Sequence, residues 1–277
     1  MLDFDASRFE TRQVFYAAKD GTRIPMFLTY RRGLRLDGQN PTILKVYGGF
    51  SSPALPAFTT QTAAWVESGG IWAQPGIRGG GEYGEAWHQA GMKGKKQTTF
   101  DDAIAAAEYL VHEGYTSPSR LALRGSSNGG LVVAAVMLQR PDLFAVALPN
   151  VAVTDMLRFL KYTVGAAWAS EYGSPETPEG FRTLYAYSPL HNVKPGTCYP
   201  ATLVTTGDRD EVVVPAHSYK FAAALQAAQG CDRPILLRVA TATGHGFVTP
   251  TAKAIEESAD MLAFAWKSMG LSRVALP

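Results

Sequence analysis

The chain has 277 residues, of which 46% are hydrophobic and 18% charged, with a formal net charge of +2. That composition suits a folded protein whose core needs neither a metal nor a cystine. The dispersed charges form no basic stripe for nucleic acid, and no apolar run approaches the roughly 18 residues of a membrane span. The start, Met1-Leu2-Asp3-Phe4-Asp5, is acidic and lacks the basic and apolar regions of a signal peptide, so the cytoplasm is the default location. In that compartment Cys198 and Cys231 read as reduced thiols, and Arg31-Arg32 and Lys93 to Lys96 as solvated loop residues.

In chain order, Gln13 to Ala17 and Ile24 to Tyr30 read as strands joined by a hairpin at Asp20-Gly21. Thr42 to Tyr47 is a short apolar strand closed by Gly48-Gly49. A helix over Thr60 to Glu67 and a strand over Gly70 to Gln74 follow. Phe100 to Glu113 is helical, with Asp101 and Asp102 in its first turn and Gly114 placed to stop it. Leu121 to Arg124 is a strand and Gly130 to Gln139 an apolar helix. Further strands fall at Phe144 to Leu148, Thr202 to Thr205 and Ile235 to Val239, with helices from Ala216 to Ala228 and Thr251 to Met269. This alternation calls for a mostly parallel sheet with helices on both faces, preceded by the N-terminal hairpin. Residues 151–200, rich in aromatics, Gly and Pro, break the rhythm and read as an insertion that lines a substrate pocket. Residues 1–277 are taken as one domain.

Gly125-Ser126-Ser127-Asn128-Gly129 sits between the Leu121 strand and the helix after it, where a nucleophile elbow would stand. The glycines two residues either side allow the sharp turn, and they single out Ser127, since Ser126 would need glycine at Arg124. A serine hydroxyl needs a base, and the base needs a carboxylate to hold its tautomer. In an α/β-hydrolase these follow as Asp or Glu and then His, on loops after later strands. Here those loops are Gly207-Asp208-Arg209-Asp210 and Thr243-Gly244-His245-Gly246. His245 is the expected base. Asp210 is preferred to Asp208, though both share one loop. His88, His112, His191 and His217 read as structural or surface residues. The backbone N–H of Asn128 is one expected oxyanion donor, and the second should come from the loop Tyr47-Gly48-Gly49-Phe50, where the Tyr47 hydroxyl is a candidate and a core tyrosine the alternative. Gly79-Gly80-Gly81-Glu82-Tyr83-Gly84 matches a dinucleotide-binding pattern, but Glu82 would face the pyrophosphate and the next expected element is the Asp101 helix. No nucleotide or other cofactor, and no metal, is expected.

These residues resemble the prolyl oligopeptidase family of serine peptidases over nearly the whole chain. The motifs that carry the likeness are Tyr47 to Phe50, Ile77 to Gly84, Gly125 to Gly130, Asp155-Met156-Leu157, Tyr187 to Val193 and Gly244-His245-Gly246. The resemblance implies a Ser127, Asp210, His245 triad, with Tyr47 as the oxyanion hydroxyl beside the Asn128 amide. It also implies that Trp168 stacks on a substrate proline and that Phe50, Val153, Tyr172 and Val213 wall its pocket. Members carry an arginine two residues after the catalytic aspartate, where this chain has Val212. Loss of that charge-assisted hydrogen bond, about 1.5–3 kcal/mol, should weaken peptide binding about ten- to a hundredfold. No segment has the length of the β-propeller that the family usually inserts near the N-terminus. The implied activity is cleavage after proline in short peptides. The alternative is a propeller-free esterase on small acyl esters, and apolar surface left around the site is expected to make that face self-associate.

Overall fold

A computed structural model describes residues 4–246 and 249–272. Its centre is one eight-stranded sheet: β1 (Phe9–Ala17), β2 (Arg23–Arg31), β3 (Thr42–Lys45), β4 (Ile71–Pro75), β5 (Leu121–Ser126), β6 (Val146–Asn150), β7 (Ala201–Gly207) and β8 (Ile235–Ala240). The strands lie in the order β1-β2-β4-β3-β5-β6-β7-β8. β1 and β2 form the expected hairpin, β2 pairs antiparallel with β4, and all later pairings are parallel. The hairpin strands run longer than their apolar cores suggested.

Because successive strand residues point to opposite faces, each central strand feeds two cores. Leu44, Leu123 and Val204 face one core with Phe100, Leu131 and Phe221. Their neighbours Ile43, Ala122 and Leu203 face the other, with Trp65, Met261 and Ala265. The first core is covered by α3 (Lys96–His112), α4 (Asn128–Gln139) and α7 (Ala216–Ala228). The second lies under α1 (Thr60–Glu67) and α8 (Thr251–Ser268). The α/β-hydrolase architecture expected from the sequence is therefore present, with helices on both faces. The remaining α-helices among the described residues are α2 (Glu85–Gln89) and, within the 151–200 insertion, α5 (Ala169–Tyr172) and α6 (Pro178–Tyr187). No helix among the described residues is long and apolar enough to cross a membrane.

Four local expectations are corrected. The helix predicted from Phe100 starts at Lys96, so Asp102 is not a first-turn residue. It is wholly buried and bound by the Arg78 guanidinium at 2.6 and 2.9 Å, and Arg78 also reaches Asp20 of the hairpin turn at 2.6 Å. Lys96, expected on a solvated loop, is fully buried because an internal carboxylate partners it. A short helix, α2, opens directly after Gly84, which the sequence did not suggest. The Glu82 carboxylate fills that turn, accepting the Ala54 N–H at 2.7 Å and lying where a Cβ on Gly80 would fall.

The fourth correction concerns the cysteines. Cys198 and Cys231 are joined in a disulfide, across a sequence separation of 33. The bridge ties the segments that enter β7 and β8, which are also joined by the Tyr199 N–H to Gln229 Oε1 hydrogen bond at 2.9 Å. Spacing alone could not show this, because the two residues approach only once β7 and β8 have paired. Closing a loop of this length removes unfolded-chain entropy worth about 3–4 kcal/mol. Cys198→Ser with Cys231→Ser should therefore lower unfolding free energy by about that amount in a urea titration; an unchanged midpoint would show that the bridge adds no constraint.

Candidate active site

β5 ends at Ser126 and α4 begins at Asn128, so Ser127 alone makes the turn, with φ 59° and ψ −119°. A non-glycine residue held there costs about 1–3 kcal/mol and persists only where its surroundings enforce it. Here the Ser127 N–H donates to Asn150 O at 2.9 Å, and the Ser127 carbonyl accepts the Leu131 N–H at 3.1 Å. Glycine is needed at both flanks. A Cβ on Gly125 would lie 2.2 Å from Gly129 O, and one on Gly129 would lie 2.4 Å from Val46 O. The strain presents the serine side chain beyond the strand end, at the positive end of a twelve-residue helix.

The loops after β7 and β8 meet at the same end of the sheet. His245 Nδ1 lies 2.8 Å from Asp210 Oδ2 and 3.0 Å from Oδ1. Asp210 Oδ1 also accepts the N–H groups of Val212 at 2.9 Å and Val213 at 2.8 Å, which fixes the carboxylate in its plane. Asp208 on the same loop has a different partner: it accepts the Thr243 N–H at 3.2 Å and braces the His245 loop from outside. Ser127 and His245 line one cavity of about 520 Å³, together with Tyr47, Ser126 and Asn150.

Tyr47 lies two residues past β3, on the cavity wall. Burial, reinforced by the nearby Glu171 carboxylate, pushes its phenol above the usual value, so it remains a protonated donor at neutral pH. Asn128 is the first residue of α4, where a backbone N–H has no acceptor within the helix. Its buried side chain donates to Tyr47 O at 2.6 Å and accepts the Tyr172 hydroxyl at 2.9 Å. One residue thus connects the serine turn, the tyrosine loop and the aromatic region.

The pocket residues expected from the resemblance do not line that cavity. Phe50, Tyr172 and Trp168 instead form a run of rings beside it, with Phe50 to Tyr172 at 5.7 Å and Trp168 to Tyr172 at 6.5 Å. Phe159, which the sequence reading missed, packs between them at 5.6 Å from Tyr172 and 6.3 Å from Trp168. Its signal was weak, because one aromatic residue in an aromatic-rich insertion looks like any other. Phe50 is 38% exposed, whereas Val153, Tyr172 and Val213 are buried. Val212 packs against the apolar core and supplies no charge.

The other histidines have separate partners. His191 Nδ1 meets Ser188 Oγ at 2.8 Å, and His112 is exposed beside Glu113. His217 is buried, takes the Asp155 N–H at Nδ1, and is pulled down to about 4 by burial, so it stays neutral. His88 Nε2 contacts Glu171 at 2.7 Å.

Residues 56–272 match the model of the prolyl oligopeptidase family. A prolyl endopeptidase from Elizabethkingia meningoseptica is 54% identical over 271 residues, and one from Dictyostelium discoideum is 45% identical over 274. These matches cover 98% and 97% of this chain but 38% and 36% of the relatives, so the chain spans little more than a third of their length. Among solved structures, a prolyl endopeptidase superposes with a TM-score of 0.96 at 45% identity, covering 98% of this chain and 40% of that one. Prolyl oligopeptidase B from Galerina marginata, bound to a 35mer hydrolysis and macrocyclization substrate, superposes at 0.94 with 42% identity, covering 98% and 38%. With the family model matched over residues 56–272 and relatives 54% and 45% identical across nearly all of its length, the chain belongs to the prolyl oligopeptidase family.

Proposed function

We propose that this protein is a serine hydrolase that cleaves after proline in short peptides through an acyl-enzyme. The observation that carries the reading is Ser127, strained into the turn, sharing a cavity with a histidine that is held by a buried aspartate. Ser127 Oγ attacks the carbonyl carbon while His245 Nε2 takes its proton, and Asp210 stabilises the resulting imidazolium. Negative charge collects on the carbonyl oxygen, where the Tyr47 hydroxyl and the Asn128 N–H donate to it. The C–N bond then breaks as His245 protonates the departing amine. Water attacks the acyl-serine by the same route, giving up its proton to His245 and restoring Ser127. The rings of Trp168 and Phe50, backed by the buried Tyr172 and Phe159, offer flat apolar faces suited to a pyrrolidine ring, and they support proline as the acyl residue.

Val212 favours one alternative, turnover of small esters. An ester has a better leaving group than an amide and depends less on a charged clamp on the peptide chain. Initial rates on a short peptide p-nitroanilide ending in proline, set against a p-nitrophenyl ester of a small acid, separate the two. The peptide reading expects both to be cleaved; turnover of the ester with no detectable amide cleavage would overturn it. As to location, the Cys198–Cys231 disulfide persists in an oxidising compartment, which argues against the cytoplasm.

A further inference from the structure

Residues 47–51, which carry Tyr47 and Phe50, are held at three backbone groups by side chains from three helices. Asn128 of α4 donates to Tyr47 O at 2.6 Å, and Lys96 of α3 donates Nζ to Gly48 O at 2.9 Å. The Phe50 N–H donates to Glu171 Oε1 of α5 at 3.1 Å. Gly48, Phe50 and Ser51 have φ of 61°, 54° and 53°, and two of these residues carry a Cβ. Such a turn does not keep its shape by local preference and must be imposed from outside.

Two of the three restraints come from one internal ion pair. Lys96 Nζ lies 3.6 Å from Glu171 Oε1, with side-chain exposures of 0% and 3%. The second Glu171 oxygen meets His88 Nε2 at 2.7 Å, and the Lys96 ammonium lies 5.7 Å from the centre of the Tyr172 ring. An apolar pair of similar volume would fill this space without taking two charges out of water, so stability alone does not account for the pair. What an apolar pair could not do is donate to Gly48 O and accept from Phe50 N.

We propose that Lys96 and Glu171 are positioning residues for acyl transfer, holding the 47–51 turn so that the Tyr47 hydroxyl stands over the reacting carbonyl. The proposal rests on the reading of Tyr47 as an oxyanion donor. Neither residue touches substrate; both act through the backbone of the turn.

The test compares Lys96→Met in two backgrounds, wild type and Tyr47→Phe, with rates expressed per site labelled by a fluorophosphonate. In the wild-type background kcat per labelled site should fall about ten- to a hundredfold, the scale of a misplaced catalytic group. In the Tyr47→Phe background, where no hydroxyl remains to misplace, the same substitution should change kcat by less than about twofold. Equal losses in both backgrounds would overturn the proposal, and so would a smaller labelled fraction with unchanged kcat per site, the mark of a purely structural role. If Lys96→Met does not fold, the apolar pair Lys96→Met with Glu171→Leu, which removes both the donor to Gly48 O and the acceptor of the Phe50 N–H, takes its place in both backgrounds, with the same loss expected and the same results overturning the proposal. A wild-type protein that neither labels nor turns over substrate would fail the functional reading itself, which is a separate result.

Discussion

Ser127→Ala is expected to lower turnover of a proline peptide p-nitroanilide about a million-fold, on the scale set by removal of a nucleophilic serine elsewhere. The substitution isolates chemistry from structure. Alanine keeps the Cβ that already occupies the turn at φ 59°, and both backbone hydrogen bonds of residue 127 are made by its N–H and C=O. Thermal stability should therefore stay near that of the wild type while covalent labelling by a fluorophosphonate disappears. The oxyanion donors and the aromatic region remain, so substrate should still bind with nearly unchanged affinity. Turnover within a hundredfold of wild type, with the variant folded, would remove Ser127 from the nucleophile role.

Asp210→Asn should cost about ten-thousandfold in kcat near neutral pH, by forcing the wrong tautomer on the base. Oδ1 of residue 210 faces two backbone donors, the N–H groups of Val212 and Val213, so an asparagine places its carbonyl oxygen there. Its NH₂ group then falls at the position of Oδ2, 2.8 Å from His245 Nδ1. Two donors cannot face each other, so Nδ1 gives up its hydrogen and becomes the acceptor, and the proton moves to Nε2. A ring protonated at Nε2 cannot take the serine proton. Asp210→Ala differs in kind, because it leaves two amides without their acceptor and should also destabilise the loop. A pH–rate profile on both variants, beside their melting temperatures, checks the assignment. It fails if Asp210→Asn retains more than about a tenth of wild-type kcat at neutral pH.

The sheet and the serine turn were legible because their signals are local. Apolar runs of strand length alternate with helical ones, and Gly125 and Gly129 mark a turn that few other residues could make. What was hidden depends on charge meeting charge across long sequence separations. Asp102 looked like a helix start and is instead the internal partner of Arg78. Lys96 stood in a basic run of four residues and gave no sign of differing from Lys93 and Lys95. Its partner Glu171 lies 75 positions away on a four-residue helix. The cystine was hidden for the same reason, since its halves meet only through paired strands. Asp208 and Asp210 were separated by backbone donors that no spacing rule reports.

The position of β8 adds a mechanical asymmetry to the site. It is the last strand of the sheet and, among the described residues, has β7 as its single neighbour, so the His245 loop hangs from a boundary ribbon while Ser127 sits on an interior one. Boundary ribbons peel first under thermal agitation, and peeling here would carry the imidazole away from its carboxylate while the interior stayed intact. The cystine fastens the opposite tips of these two ribbons, Cys198 before β7 and Cys231 before β8. It therefore acts as a rivet at the far end of the lever that bears His245, and cutting it should silence the protein at temperatures where most of the sheet still stands.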